Sequence, residues 1–215
     1  MKIIFLGHAS FLIVSEKGTR IITDPYKPGC FEGGIKYAPI TEPADVVTIS
    51  HEHDDHNCTA VEGNPVFVRG EDRKEIKDIV ISGTPTFHDT ERGTARGSNT
   101  IFKMTIDGMN VVHLGDLGHQ LSEEEVSSIG EVDILFMPVG GHFTIDARAG
   151  EDTVSKLMPR IVIPMHFKTE KCEFPIAPVD DYIRDKDVQE FSGEVEITKA
   201  TLPDRTATYV LAPTK

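Results

Sequence analysis

Apolar positions come in short runs of four to eight residues separated by turn formers, the spacing of strands. "KIIFLGH", "SFLIVSEKGTRIITDP", "ADVVTIS", "PVFVR" and "DIVISG" follow one another, with "EKG" and "TDP" as turns, so the first half reads as mainly strand. "NTIFKMTIDGMNVVHLGD" is two strand-like runs around Asp107-Gly108, a pair suited to the positive φ angles of a tight hairpin. In "SEEEVSSIG" Ser122 and Glu125 form a capping box, Glu123 and Glu124 favour the helix dipole, and Gly130 is a stop: a short helix. "VDILFMPVGG" and "RIVIPMHF" are continuous apolar runs of the kind buried on both faces, and "DARAGEDTVSKLMP" between them predicts a helix ending at Pro159. The tail "EVEITKATLPDRTATYVLAP" predicts two more strands joined by a Pro-Asp turn.

The remaining global features narrow the setting. A chain of 215 residues suits one well-filled domain, residues 1–215, with no low-complexity segment. No apolar run reaches the roughly 20 residues needed to span a bilayer, and "MKIIFLGHASFLIV" is interrupted by Gly7 and His8, which reads as a strand rather than a signal peptide. Cys30, Cys58 and Cys172 are odd in number and lack CxxC spacing; this disfavours a disulfide framework and predicts a reducing, cytoplasmic setting, with Cys58 a small buried residue. The net charge of −13, from 22 basic and 35 acidic residues, disfavours nucleic acid as a partner and favours bound cations. A small-molecule substrate is the expected partner, and association into a homo-oligomer is left open.

The candidate chemistry is concentrated in "VVTISHEHDDHNC". Residues 51 to 56 hold three imidazoles and three carboxyls immediately after a buried apolar run, where a strand gives way to a loop. Read as H-x-H-x-D-H, the stretch offers His51 and His53 to one metal and Asp55 and His56 to another. Such donors suit Zn, Mn or Fe. A solvated polar turn is the bland alternative, disfavoured by the six-residue pattern.

This motif resembles the signature of the metallo-β-lactamase-fold superfamily, in which it is followed by a separated His, an Asp and a last His. "ISGTPTFHDTERG" supplies His88, "MNVVHLGDLGH" supplies Asp116 and "RIVIPMHF" supplies His166. The resemblance, over about residues 5 to 170, implies an α/β fold: a four-layer αβ/βα sandwich of two facing mixed sheets with outer helices. It further implies that His51, His53 and His88 hold one divalent ion, Asp55, His56 and His166 a second, and that Asp116 bridges them. The implied activity is hydrolysis by a hydroxide held between two metal ions, zinc first, with Asp55 or Asp116 handling the transferred proton. "LGHASFLI", "TDP", "HLGDLGH" and "PVGGHFTIDA" further resemble compact lactonase-like hydrolases related to ascorbate-6-phosphate lactonase. This points to an ester, lactone or phosphoester of a small metabolite. A phosphodiesterase or nuclease of the same fold, a di-iron redox protein and a non-catalytic metal-binding module are the alternatives.

Other polar residues carry paired readings. His8 either faces the site or is a hydrogen-bonded structural histidine; Asp24 either lies near the metals or caps the turn at Pro25. Asp89 is a candidate to orient His88, and Arg96 with Asn99 to recognise an anionic group, against turn and packing roles. His119 and His142, in glycine-rich loops, either shape a pocket wall or lie on ordinary surface. His113 ends the same strand as Asp116 and reads as a packed or supporting histidine.

Overall fold

The apolar runs become fourteen strands in the computed structural model, which describes all 215 residues. In chain order they are β1 (Lys2–Gly7), β2 (Ser10–Val14), β3 (Arg20–Thr23), β4 (Val46–Thr48), β5 (Val66–Val68), β6 (Lys74–Ile76) and β7 (Ile79–Phe87). Then follow β8 (Ser98–Ile106), β9 (Met109–His113), β10 (Ile134–Pro138), β11 (Ile161–Met165), β12 (Val188–Phe191), β13 (Glu194–Glu196) and β14 (Ala207–Leu211). A six-stranded sheet has the order β13-β1-β2-β3-β4-β5, and an eight-stranded one the order β12-β14-β11-β10-β9-β8-β7-β6. Both are mixed: β3-β4-β5 and β9-β10-β11-β14 are parallel, the hairpins antiparallel.

The two-residue period of each strand sorts its side chains between two clusters. Ile3 and Phe5 of β1, Phe11 and Ile13 of β2, Ile21 and Val46 enter the inter-sheet core, where they share a 40-residue buried cluster with Phe102, Val111 and Phe136 of the other sheet. The Phe11 ring joins the layers, 4.8 Å from Phe5 and 4.2 Å from Phe136. The intervening Leu12, Ile22 and Val47 face outward into a smaller cluster.

Helices cover the eight-stranded sheet. Ser122 caps the helix Glu123–Ile129 as expected: its hydroxyl accepts from Glu125 N at 3.3 Å, and the Glu125 carboxylate accepts from Ser122 N at 2.7 Å. The helix Ala147–Leu157 links the parallel, wholly buried β10 and β11 and ends at Met158, in the left-handed region before Pro159. Over the six-stranded sheet the expected helical layer gives way to irregular segments around Ile40, Ala44 and Val61, which pack on Leu12, Ile22 and Val47. Between β3 and β4 lie Pro25, Pro28, Pro39 and Pro43 with Gly29, Gly33 and Gly34, a composition that forbids a long helix there.

The hairpin at Asp107-Gly108 forms with φ of 50° and 74° and pairs Ile106 with Met109. The tail differs from expectation: β13 pairs with β1, while β14 pairs with β11 and β12 in the other sheet, so the two strands are not a hairpin. The N-terminal strand lies inside its sheet, and Cys58 is half-buried rather than buried. No helix is long and apolar enough to cross a membrane.

Candidate metal centre

In the six-stranded sheet β1, β3 and β4 run the same way, as do β7, β9 and β11 in the other. His8 follows β1, Asp24 follows β3, and the stretch 51–56 follows β4; His88, Asp116 and His166 follow β7, β9 and β11. All therefore emerge at one edge of the sandwich. His8, Asp24 and His166 turn there with φ of 57°, 38° and 51°, left-handed conformations uncommon for non-glycine residues.

Asp116 Oδ2 is the centre of the cluster. The Nε2 atoms of His56 and His88 lie 3.2 Å from it, that of His166 at 3.3 Å and that of His51 at 3.8 Å. Around it the donor atoms of His51, His53 and His88 form one group within 4.8 Å, and those of His8, Asp55, His56 and His166 form another. The second group contains His8, which the sequence left between two readings; its Nε2 is 3.0 Å from Asp55 Oδ2.

The backs of His51 and His56 are tied down and their inward nitrogens left free, whereas the Nδ1 atoms of His88 and His166 are buried without a partner. Ser50 Oγ donates to Asp24 Oδ2 at 2.5 Å and lies 2.9 Å from His51 Nδ1, so it accepts the Nδ1 proton. His56 Nδ1 donates to the same Asp24 oxygen at 3.1 Å, and Ser50 N to Asp24 Oδ1 at 2.8 Å. With both carboxylate oxygens engaged, Asp24 orients His56 directly and His51 through Ser50. The paired Nδ1 atoms direct the Nε2 lone pairs of His51 and His56 inward, where both nitrogens, and Asp116 Oδ1, are buried without a hydrogen-bond partner. Buried polar atoms are almost always satisfied; this convergent set of orphaned nitrogen and carboxylate donors fits metal ions. His113 does not belong to it: Nε2 donates to Ala9 O at 2.8 Å and Nδ1 accepts from Gly115 N at 3.1 Å, so both its nitrogens are used.

The electrostatics follow from three buried carboxylates among the imidazoles. Burial opposes charge on His56, but Asp116, Asp55 and Asp24 around it raise its pKa well above the ordinary value. Burial likewise works against ionised Asp116 and Asp55, yet neighbouring histidines hold both well below the usual carboxylate range. His51 is lowered to about 3 by burial and then by His56, and His8 to about 4 by burial and then by His166.

The remaining candidates separate. Asn99 is buried, its Oδ1 accepting from Asp116 N at 2.9 Å and its Nδ2 donating to Thr86 Oγ1 and Leu114 O at 2.8 and 2.9 Å. It fixes the Asp116 loop and touches no anion. Asp89 does not orient His88: its two oxygens accept from the backbone N–H groups of Glu91, Gly93, Ala95 and Arg96, which build the loop after His88. Burial opposes its charge, but these donors bring its carboxyl down to about 2. His119 accepts from Phe87 N at 3.3 Å and lines a separate groove of about 630 Å³ with Thr84 and Glu125, which contains none of the clustered donors. His142 is exposed; its neighbour Phe143 faces the site instead.

The clustered donors open instead onto a smaller cavity of about 250 Å³, lined by His53, Asp55, His88, Asp116 and His166, by Phe31, Phe143 and Phe174, and by Arg96. The phenylalanines and Ser50 were not singled out from sequence. Ser50 directly precedes the motif, whereas Phe31 and Phe174 carry no local signal beyond apolar residues in turn-rich segments.

A family model described as a β-lactamase superfamily domain matches residues 2–166, from β1 through His166. The chain belongs to the β-lactamase superfamily. The match to this superfamily takes in every clustered donor. A Thermotoga maritima protein described as a candidate Zn-dependent hydrolase of the metallo-β-lactamase superfamily superposes with a TM-score of 0.82 at 33% identity, over 98% of this chain and 97% of that one. A UPF0173 metal-dependent hydrolase of Thermococcus onnurineus is 30% identical over 79% of this chain and 85% of its own length. A Carboxydothermus hydrogenoformans protein of the same description is 29% identical over the same shares. The metallo-β-lactamase fold expected from the motif is thereby established.

Proposed function

We propose that this superfamily member is a metal-dependent hydrolase with a dinuclear centre that cleaves an ester, lactone or phosphoester bond of a small molecule. The observation that carries the reading is Asp116 Oδ2, set within 3.2 to 3.8 Å of four imidazole nitrogens. His51, His53 and His88 would hold one ion, Asp55, His56 and His166 the other, and Asp116 both. The nitrogen-rich donor set favours zinc, with manganese or iron as alternatives. When bound, such a pair supplies an activated water and Lewis acidity toward a carbonyl or phosphoryl oxygen.

The chain's own residues complete the reaction. Asp55, at the cavity floor, would receive the proton of the attacking water, and His8 Nε2 holds its Oδ2 from 3.0 Å. The same proton then passes to the leaving oxygen. The cavity of about 250 Å³ is small beside common ligand pockets, which supports a small substrate, and the charge of −13 argues against nucleic acid. Three free cysteines support a cytoplasmic setting.

The test is a panel of small esters, lactones and phosphodiesters with protein filled with zinc, manganese or iron. Turnover of at least one class, abolished by chelator and by Asp116→Ala, is expected. Absence of hydrolysis for every class and metal would overturn the reading.

A further inference from the structure

Phe31 is the one exposed ring among eleven phenylalanines and four tyrosines, 54% accessible at the cavity mouth. It sits in a turn where Phe31 and Glu32 both take left-handed φ values, 52° and 56°, a strained way to present an apolar side chain to water. Its ring meets Phe174 edge-on at 5.6 Å, and Phe174 meets Phe143 edge-on at 5.7 Å. The arc is built in: a Cβ at Gly34 would lie 2.7 Å from the Phe174 ring, so only glycine lets that ring close on the turn.

The arc ends on a cation. The Arg96 guanidinium stacks on Phe143 at 5.5 Å and borders the same cavity. Like most arginines of the chain it has no carboxylate within ion-pair distance, Arg69 with Glu52 at 2.9 Å and Arg184 with Asp181 at 2.8 Å being the exceptions. What sets Arg96 apart is its place: stacked on Phe143 at the cavity, its guanidinium is available to an incoming anion. Asp89 fixes its position by accepting from Arg96 N at 2.7 Å.

We infer that the substrate is a small ester or lactone carrying both an apolar, ring-sized group, received by Phe31, Phe174 and Phe143, and a carboxylate paired with Arg96. This rests on the hydrolase reading for the bond that is cut, but the recognition is separable from the cutting. Water adds across the acyl C–O bond, releasing an acid and an alcohol, while the ring and the remote carboxylate are unchanged.

Binding is therefore measured without turnover, by calorimetry of the zinc-filled protein with 3-phenylpropionate, butyrate and 2-phenylethanol. The expected result is that 3-phenylpropionate binds at least about tenfold more tightly than the other two, the range of one charge-assisted hydrogen bond. Arg96→Gln should remove its advantage over 2-phenylethanol, and Phe31→Ala its advantage over butyrate. Both side chains are exposed and make no internal hydrogen bond, so the variants fold. Equal affinity of 3-phenylpropionate for wild type and Arg96→Gln, showing the carboxylate on the metals, would overturn the inference. So would no binding, or butyrate binding as well as the aromatic acid. Ester turnover, followed separately, reports on the hydrolase reading alone.

Discussion

His8 Nε2 lies 3.0 Å from Asp55 Oδ2, with both residues buried and His8 in a left-handed backbone conformation. The contact joins the first strand to the second ligand group and leaves His51, His53 and His88 untouched. His8→Ala should therefore weaken one of the two ions by about 10–100-fold, the usual effect of losing a ligand's supporting partner, with the other little changed. His8→Gln, which keeps an N–H donor, should recover part of the loss. Competition against a chromophoric chelator resolves the two affinities; equal weakening of both ions would refute the assignment.

Asp24 acts on both groups, because its carboxylate holds His56 directly and His51 through Ser50. Asp24→Asn keeps the shape but loses the charge that anchors both imidazoles. Both ions should weaken by about 10–100-fold, measured by the same competition. Wild-type affinity in this variant would return Asp24 to a turn cap.

Metal binding should tighten as pH rises through neutrality. In the metal-free protein burial opposes charge on His56, but Asp116, Asp55 and Asp24 raise its pKa well above the ordinary value, so it carries a proton at pH 7 that a metal must displace. About one proton should be released per chain at pH 7, read as the dependence of binding heat on buffer ionisation enthalpy. His8 and His51 have the opposite sign: with pKa values lowered to about 4 and about 3 from 6.5, the unfolded chain takes up their protons first. Metal-free protein should lose stability as pH falls from about 6.5 toward 4, seen as a falling Tm; a flat Tm across that window would contradict these assignments.

Asp89→Ala removes the acceptor of four backbone N–H groups and should loosen the loop that carries Arg96. A Tm lowered by a few degrees is expected at neutral pH. Because the Asp89 carboxyl falls from 3.8 to about 2 in the folded state, its contribution is present above pH 3.8 and is lost as pH falls through about 2. The wild-type and variant Tm values should thus converge in strong acid.

The clustered donors were legible because each follows an apolar strand: the motif after "ADVVTIS", His88 after "ISGTPTF", Asp116 after "MNVVHLG" and His166 after "RIVIPM". The hairpin and the capping box were legible because their signals are local. The role of Asp24 was not, because it depends on Ser50, 26 residues away, and His8 is 47 residues from Asp55. Asp89 misled because adjacency to His88 says nothing about direction; its carboxylate turns to its own loop. The edge strands β6 and β12 escaped notice because "KEI" and "VQEF" are polar, with pairing rather than hydrophobic pattern defining them. The aromatic wall depends on segments 143 residues apart in sequence, Phe31 and Phe174, which only the assembled fold brings together.

The most direct test of the dinuclear centre is metal content per chain, by elemental analysis of protein purified without a histidine tag or chelator, alongside Asp116→Ala. About two ions of zinc, manganese or iron per chain are predicted, with a marked fall in the variant because Asp116 is shared by both. A chain that holds no metal even after ions are added back, or an Asp116→Ala variant that binds as many ions as wild type, would contradict it.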